Sequence, residues 1–126
     1  MAIQFLELYS KCKNIKIIHA ENDGEYLNKI INPITKKIFT HKVDGYCKET
    51  NTIFLFHGDF WHGNPKKYNH KEINPKTGTT YGELYNNTIK IENILKQNGY
   101  NLVVIWELDW LKLIKIVKTI QRKIRQ

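Results

Sequence analysis

Thr52 to His57, reading TIFLFH, narrows more than any other stretch what this chain can fold into. Ile53, Phe54, Leu55 and Phe56 put apolar side chains on both faces of a strand, so the strand needs cover above and below. A sheet with helices packed against it supplies that cover, and the fold class read from the stretch is α/β. Gly58 follows at once and lets the backbone turn away, which leaves His57 and His62 at the sheet's edge. Imidazole can act as general base, general acid or metal ligand near neutral pH. Either histidine alone reads more readily as a hydrogen-bonded structural group. The pair, together with Asp44, reads as chemistry: Asp44 lies on the preceding strand and reaches the same sheet end through the hairpin closed by Lys48 to Thr52. A carboxylate and an imidazole on neighbouring strands can share one divalent ion and one water.

Elements follow from periodicity. Ile3, Phe5, Leu6, Leu8 and Tyr9 predict a helix over residues 2–13, and Ile15, Ile17 and Ile18 a short strand. Asp23-Gly24 marks a turn. YLNKII and KKIFTHKVDGYC flank an Asn32-Pro33 turn and form, with the run to His57, an antiparallel meander. Leu84, Thr88, Ile91 and Leu95 predict a helix over 82–98 closed by Asn98-Gly99. Residues 101–106 add a further strand. A last helix from Trp110 to about Lys123 carries Trp110, Leu113, Ile114, Val117, Ile120 and Ile124 on one stripe, expected to cover the core. Residues 59–81 read as a long irregular loop.

In that loop Lys66, Lys67, His70, Lys71 and Lys76 alternate with Phe60, Trp61, Tyr68 and Tyr81. Cations interleaved with flat rings suit phosphate contacts combined with base stacking or wedging. Twenty Lys and Arg against twelve Asp and Glu give a formal charge of +8, which on 126 residues favours a polyanionic partner. A lysine-rich surface with no such partner gives the same total. No apolar run spans a bilayer, and the first segment is an amphipathic helix rather than a signal peptide. Cys12 and Cys47 have neither the number nor the spacing of a disulfide framework, so the expected setting is intracellular.

VDGYC at 43–47, FHGDFWHG at 56–63 and GYNLVVIWE at 99–107 resemble the very-short-patch mismatch-repair endonucleases and the related homing endonucleases. The likeness runs from the first helix to Glu107. It implies one domain over 1–126 with a restriction-endonuclease-like fold: a central mixed sheet, the meander plus one further strand, flanked by helices. It also implies hydrolysis of phosphodiester bonds in duplex DNA, by nicking or cutting, with Mg²⁺ as cofactor and Mn²⁺ able to replace it. By the same resemblance Asp44 and the Phe56 carbonyl hold the metal, His62 activates water, and His57 contacts or protonates phosphate. Phe60 and Trp61 match rings that wedge into the base stack, beside DNA-contacting Lys66, Lys67, Lys71 and Lys76.

Departures from the family pattern are specific. The common acid-x-Lys pair is missing, because Leu55 and Phe56 precede His57. A first-helix glutamate is replaced by Gln4, with Glu7 the nearest carboxylate one turn on. The aspartate that partners the second histidine falls at Thr88. Asn64 and Leu108 stand where relatives carry cysteine, so no structural zinc is expected. Beside the endonuclease stand two further readings: a DNA-binding module whose catalysis has faded, and the nuclease domain of a larger DNA-processing protein. Partners expected are DNA and no membrane, with the chain a monomer or weak dimer. Affinity for duplex DNA should fall steeply with salt in anisotropy titrations. A flat response would reduce the +8 to a solvated lysine-rich surface.

Overall fold

A computed structural model describes residues 1–19 and 26–125. Helix α1 (Ala2–Lys13) buries Phe5 and Leu6 and ends at Asn14, whose left-handed backbone closes the last turn. The strand expected at Ile15–Ile18 reduces to one bridge, Ile18 to Tyr46. Its apolar residues act as core filler, with Ile17 buried beside Phe5 and Leu6. The Asp23-Gly24 turn lies outside the described residues.

Strands β1 (Tyr26–Ile31) and β2 (Ile38–Val43) pair antiparallel. Their turn is set by Asn32, whose side-chain oxygen accepts the amides of Ile34 and Thr35 at 3.0 and 3.2 Å. The single meander expected from sequence is corrected at Asp44, which breaks the run. β3 (Gly45–Cys47) starts a second sheet with β4 (Thr52–His57) and β5 (Asn101–Trp106), in the order β3-β4-β5. Crowding beside the break gives the reason. A Cβ on Gly45 would stand 2.8 Å from Ile17 Cγ2 and 2.9 Å from Leu6 Cδ2, so the chain changes course where α1 closes onto it.

The three-stranded sheet is mixed, β3-β4 antiparallel and β4-β5 parallel, with His57 opposite Trp106. Helix α2 (Asp59–His62) is a single turn inside the stretch expected to be irregular, and α3 (Tyr81–Gln97) follows the loop. Thr80 caps α3 by accepting the Glu83 amide at 3.1 Å. As strand alternation requires, Ile53 and Leu55 face a cluster with Ile94 and Leu95 of α3, while Phe54 faces Phe5, Leu6 and Trp110. Both faces of β4 are therefore covered, and the chain is mixed α/β. No helix among the described residues is long and apolar enough to cross a membrane.

Helix α4 (Glu107–Arg125) begins three residues before the expected Trp110. Its stripe corrects a second expectation. Trp110 is buried and Ile114 packs partly on the core, but Leu113, Val117, Ile120 and Ile124 are exposed. Helical periodicity registers an apolar side without registering what lies against it. Leu95→Ala should lower unfolding free energy by about 2–5 kcal/mol in urea titrations, as a fully buried leucine does. Ile124→Ala should stay within about 0.5 kcal/mol of the parent.

Candidate active site

Asp44, Phe56, His57, Trp61 and His62 line a cleft of about 390 Å³, closed on its other side by Leu84, Asn87, Thr88 and Ile91 of α3. Asp44 is fixed by its own backbone neighbourhood: Oδ2 accepts the Phe56 N–H at 2.7 Å, where β4 has run past the end of β3. The carboxylate stands in for a missing ladder partner and is thereby aimed at the strand end. His57 is delivered by β4, and its ring lies 4.5 Å from His62 and 4.8 Å from Trp106. His62 is delivered by α2, which starts at Gly58 and stops at Gly63 with φ of 65°. A Cβ on Gly63 would come 2.1 Å from the Tyr81 carbonyl oxygen, so glycine is what lets α2 approach α3.

The two imidazoles are held by different devices. Thr88 Oγ1 donates its one proton to the Leu84 carbonyl at 2.9 Å and stands 2.9 Å from His62 Nδ1. With that proton given to Leu84, Nδ1–H donates to Thr88 and the lone pair sits on Nε2; the other tautomer reverses the roles. On His57 it is Nε2 that faces inward, 3.5 Å from Glu92 Oε2, and neither buried atom has a hydrogen-bond partner. Glu92 escaped the sequence reading. The available signal was its place one turn after Thr88 on the helix face that meets the histidines.

Other expected residues lie apart. Gln4 and Glu7 are exposed and outside the cleft lining; Glu7 Oε1 sits 3.9 Å from Nε2 of the buried His19. Trp61 stands on the cleft rim, 57% exposed. Phe60 is instead half-buried among the rings of Trp61, Tyr68 and Tyr81. Tyr68 and Tyr81 stack at 4.2 Å, and burial, then Tyr68 and Glu72, raise the Tyr81 phenol above its ordinary range. Asn64 and Leu108 are joined through buried Asp59, whose Oδ1 accepts the Asn64 amide group at 2.8 Å and the Leu108 N–H at 3.3 Å.

The loop after α2 is regular in a way that composition concealed. Asn64, Asn69 and Asn74 each accept, through Oδ1, the amide of a lysine two residues on: Lys66, Lys71 and Lys76, at 3.0, 3.0 and 2.8 Å. Three such turns at five-residue intervals display three exposed lysines. Fully buried Asn74 also donates to the Phe60 carbonyl at 2.9 Å and ties the loop to α2. Lys67 lies over the Tyr68 ring at 5.8 Å, and Lys66 stands 3.9 Å from Asp109.

No family model, no curated protein and no solved structure matches this chain. What the cleft does is therefore argued from its own atoms. Gly63→Ala should lose at least about 1–3 kcal/mol in thermal or urea unfolding, because the obstacle is backbone rather than a movable side chain. The histidine ring resonances should shift with it.

Proposed function

We propose that the chain is a Mg²⁺-dependent endonuclease of the very-short-patch repair type, on a restriction-endonuclease-like fold, that hydrolyses phosphodiester bonds in duplex DNA. The observation that carries the reading is the meeting, at one sheet end, of an oriented Asp44 carboxylate and two imidazoles held in different ways. Phosphodiester hydrolysis asks for that set: charge neutralisation at phosphate and a base for water.

The donors fit a hard cation. The Asp44 carboxylate and the Phe56 carbonyl are oxygen ligands, and Mg²⁺ is commonly held by one or two carboxylates, with waters and substrate phosphate completing its shell. Among the described residues no group of three or more His, Cys, Asp or Glu side chains is arranged to hold a metal, so phosphate would have to supply much of the shell. Bound there, the ion would neutralise charge that develops on phosphate. His62, with its lone pair on Nε2, takes a proton from the attacking water as the water oxygen bonds to phosphorus. The bond from phosphorus to the leaving oxygen breaks. His57 contacts the phosphate or returns a proton to that oxygen, and since Nε2 is sealed against Glu92, Nδ1 is the nitrogen available to it. Trp61 and the three displayed lysines supply a stacking ring and phosphate contacts. The setting that goes with such a substrate is intracellular, with access to DNA.

A second reading, a DNA-binding module with faded catalysis, is favoured by two observations: the group 2.9 Å from His62 Nδ1 is the neutral Thr88, and Gln4 adds no charge to the cleft. Incubation of supercoiled plasmid with the chain and Mg²⁺ or Mn²⁺ separates the two. Nicking is expected, lost with Asp44→Ala and reduced about 10²–10⁴-fold with His62→Ala. Salt-sensitive binding without metal-dependent nicking would leave the module reading. In binding titrations Lys71→Ala should lower the slope of log affinity against log salt by about one.

A further inference from the structure

Helix α4 carries an apolar seam that its own domain leaves uncovered. Leu113, Val117, Ile120 and Ile124 are 40%, 40%, 51% and 78% exposed, whereas α1 places Phe5 and Leu6, and α3 places Ile94 and Leu95, in the two core clusters. Starting from buried Trp110, the seam runs at spacings of three, four, three and four residues, the repeat by which one helix meets another. We propose that α4 pairs antiparallel with α4 of a second copy of this chain.

Charge selects both the occupant and the direction. In the register set by the seam, Lys112, Lys115, Lys118, Arg122 and Arg125 fall on the outward positions, and Lys123 alone flanks the contact. Self-pairing therefore brings few like charges face to face. The first turn of α4 holds Glu107 and Asp109, and its last turn Arg122, Lys123 and Arg125. An antiparallel pair carries each basic end toward the other's acidic start, which also suits the two helix dipoles; a parallel pair gathers the cations at one end. The seam is self-complementary in this direction. Leu113 meets Ile124 of the second copy, Val117 meets Ile120 of the second copy, and Lys123 lies on the edge that carries Asp109 of the second copy.

A bilayer surface fits less well. Beyond buried Trp110 the helix has no aromatic residue to anchor in headgroups, and the exposed Ile116 flanks the seam where a second helix would cover it. Two heptads are short against the surface of about 800 Å² per partner that a standard interface buries, so the dimer is weak and concentration-dependent.

Sedimentation equilibrium of the 126-residue chain, from micromolar to millimolar, tests this without reference to nuclease activity. The expected result is a reversible monomer–dimer equilibrium, weakened at least about tenfold by Ile120→Lys and changed less than about twofold by Lys115→Glu. Ile120 is half exposed, and circular dichroism checks that the variant keeps its helices. Lys123→Glu should weaken the pair, and Lys123→Glu with Asp109→Lys should restore it. A parallel pair, which gathers the basic ends, would instead tighten with Lys123→Glu alone, and that result overturns the arrangement. A single-chain mass at every concentration, dimers indifferent to Ile120→Lys, or binding to phosphatidylserine vesicles without self-association overturns the proposal.

Discussion

The hydrogen bond from the Phe56 amide to the Asp44 carboxylate ties the cleft to the sheet. At Asp44 the chain leaves the hairpin and enters the three-stranded sheet, and a break of that kind leaves β4 amides without a backbone acceptor. A neutral side chain could not fill the place in the same way, because a charged acceptor makes the stronger bond and points toward the strand end where His57 stands. Carboxylate and strand end are thus joined at this contact, beside the His57 that β4 delivers. Gly45 makes the contact reachable by letting Leu6 and Ile17 close against the backbone.

Much of this was legible in the sequence, and the reasons differ by element. The apolar run at Ile53 to Phe56 announced a strand covered on both faces, and both core clusters meet there. The helix expected over 82–98 and the strand over 101–106 appear within a residue of those bounds. The convergence of Asp44, His57 and His62 also followed from the residues, whereas Thr88 was placed beside His62 by the family resemblance. What sequence concealed were matters of contact. Nothing in the repeat of Leu113, Val117 and Ile120 tells whether a partner covers it, and Ile15 to Ile18 read as a strand because core filler has strand-like composition. Glu92 looked like one more helix charge, since its meaning depends on which way His57 turns.

The lysines illustrate how local backbone chemistry can organise what composition presents as bulk charge. Asn64, Asn69 and Asn74 fold the loop through their own side-chain oxygens, and the amide each one captures belongs to a lysine. These turns are ordered by the chain itself, which would lower the entropy cost of binding the polyanion proposed above. Stacked Tyr68 and Tyr81 and the buried Asn74 fix the ladder to α2 and α3, so lysines and cleft belong to one rigid neighbourhood.

The parallel pairing of β4 with β5 has a consequence in time as well as in space. His57 and His62 leave the ribosome before the groups that position them: Thr88, Glu92 and Trp106 come 26 to 49 residues later. Strand β4 has only the three residues of β3 to pair with until β5 is synthesised. Contacts of such sequence separation form late, because the intervening chain must be ordered first. The cleft is therefore not assembled until β5 has been synthesised, 49 residues after His57.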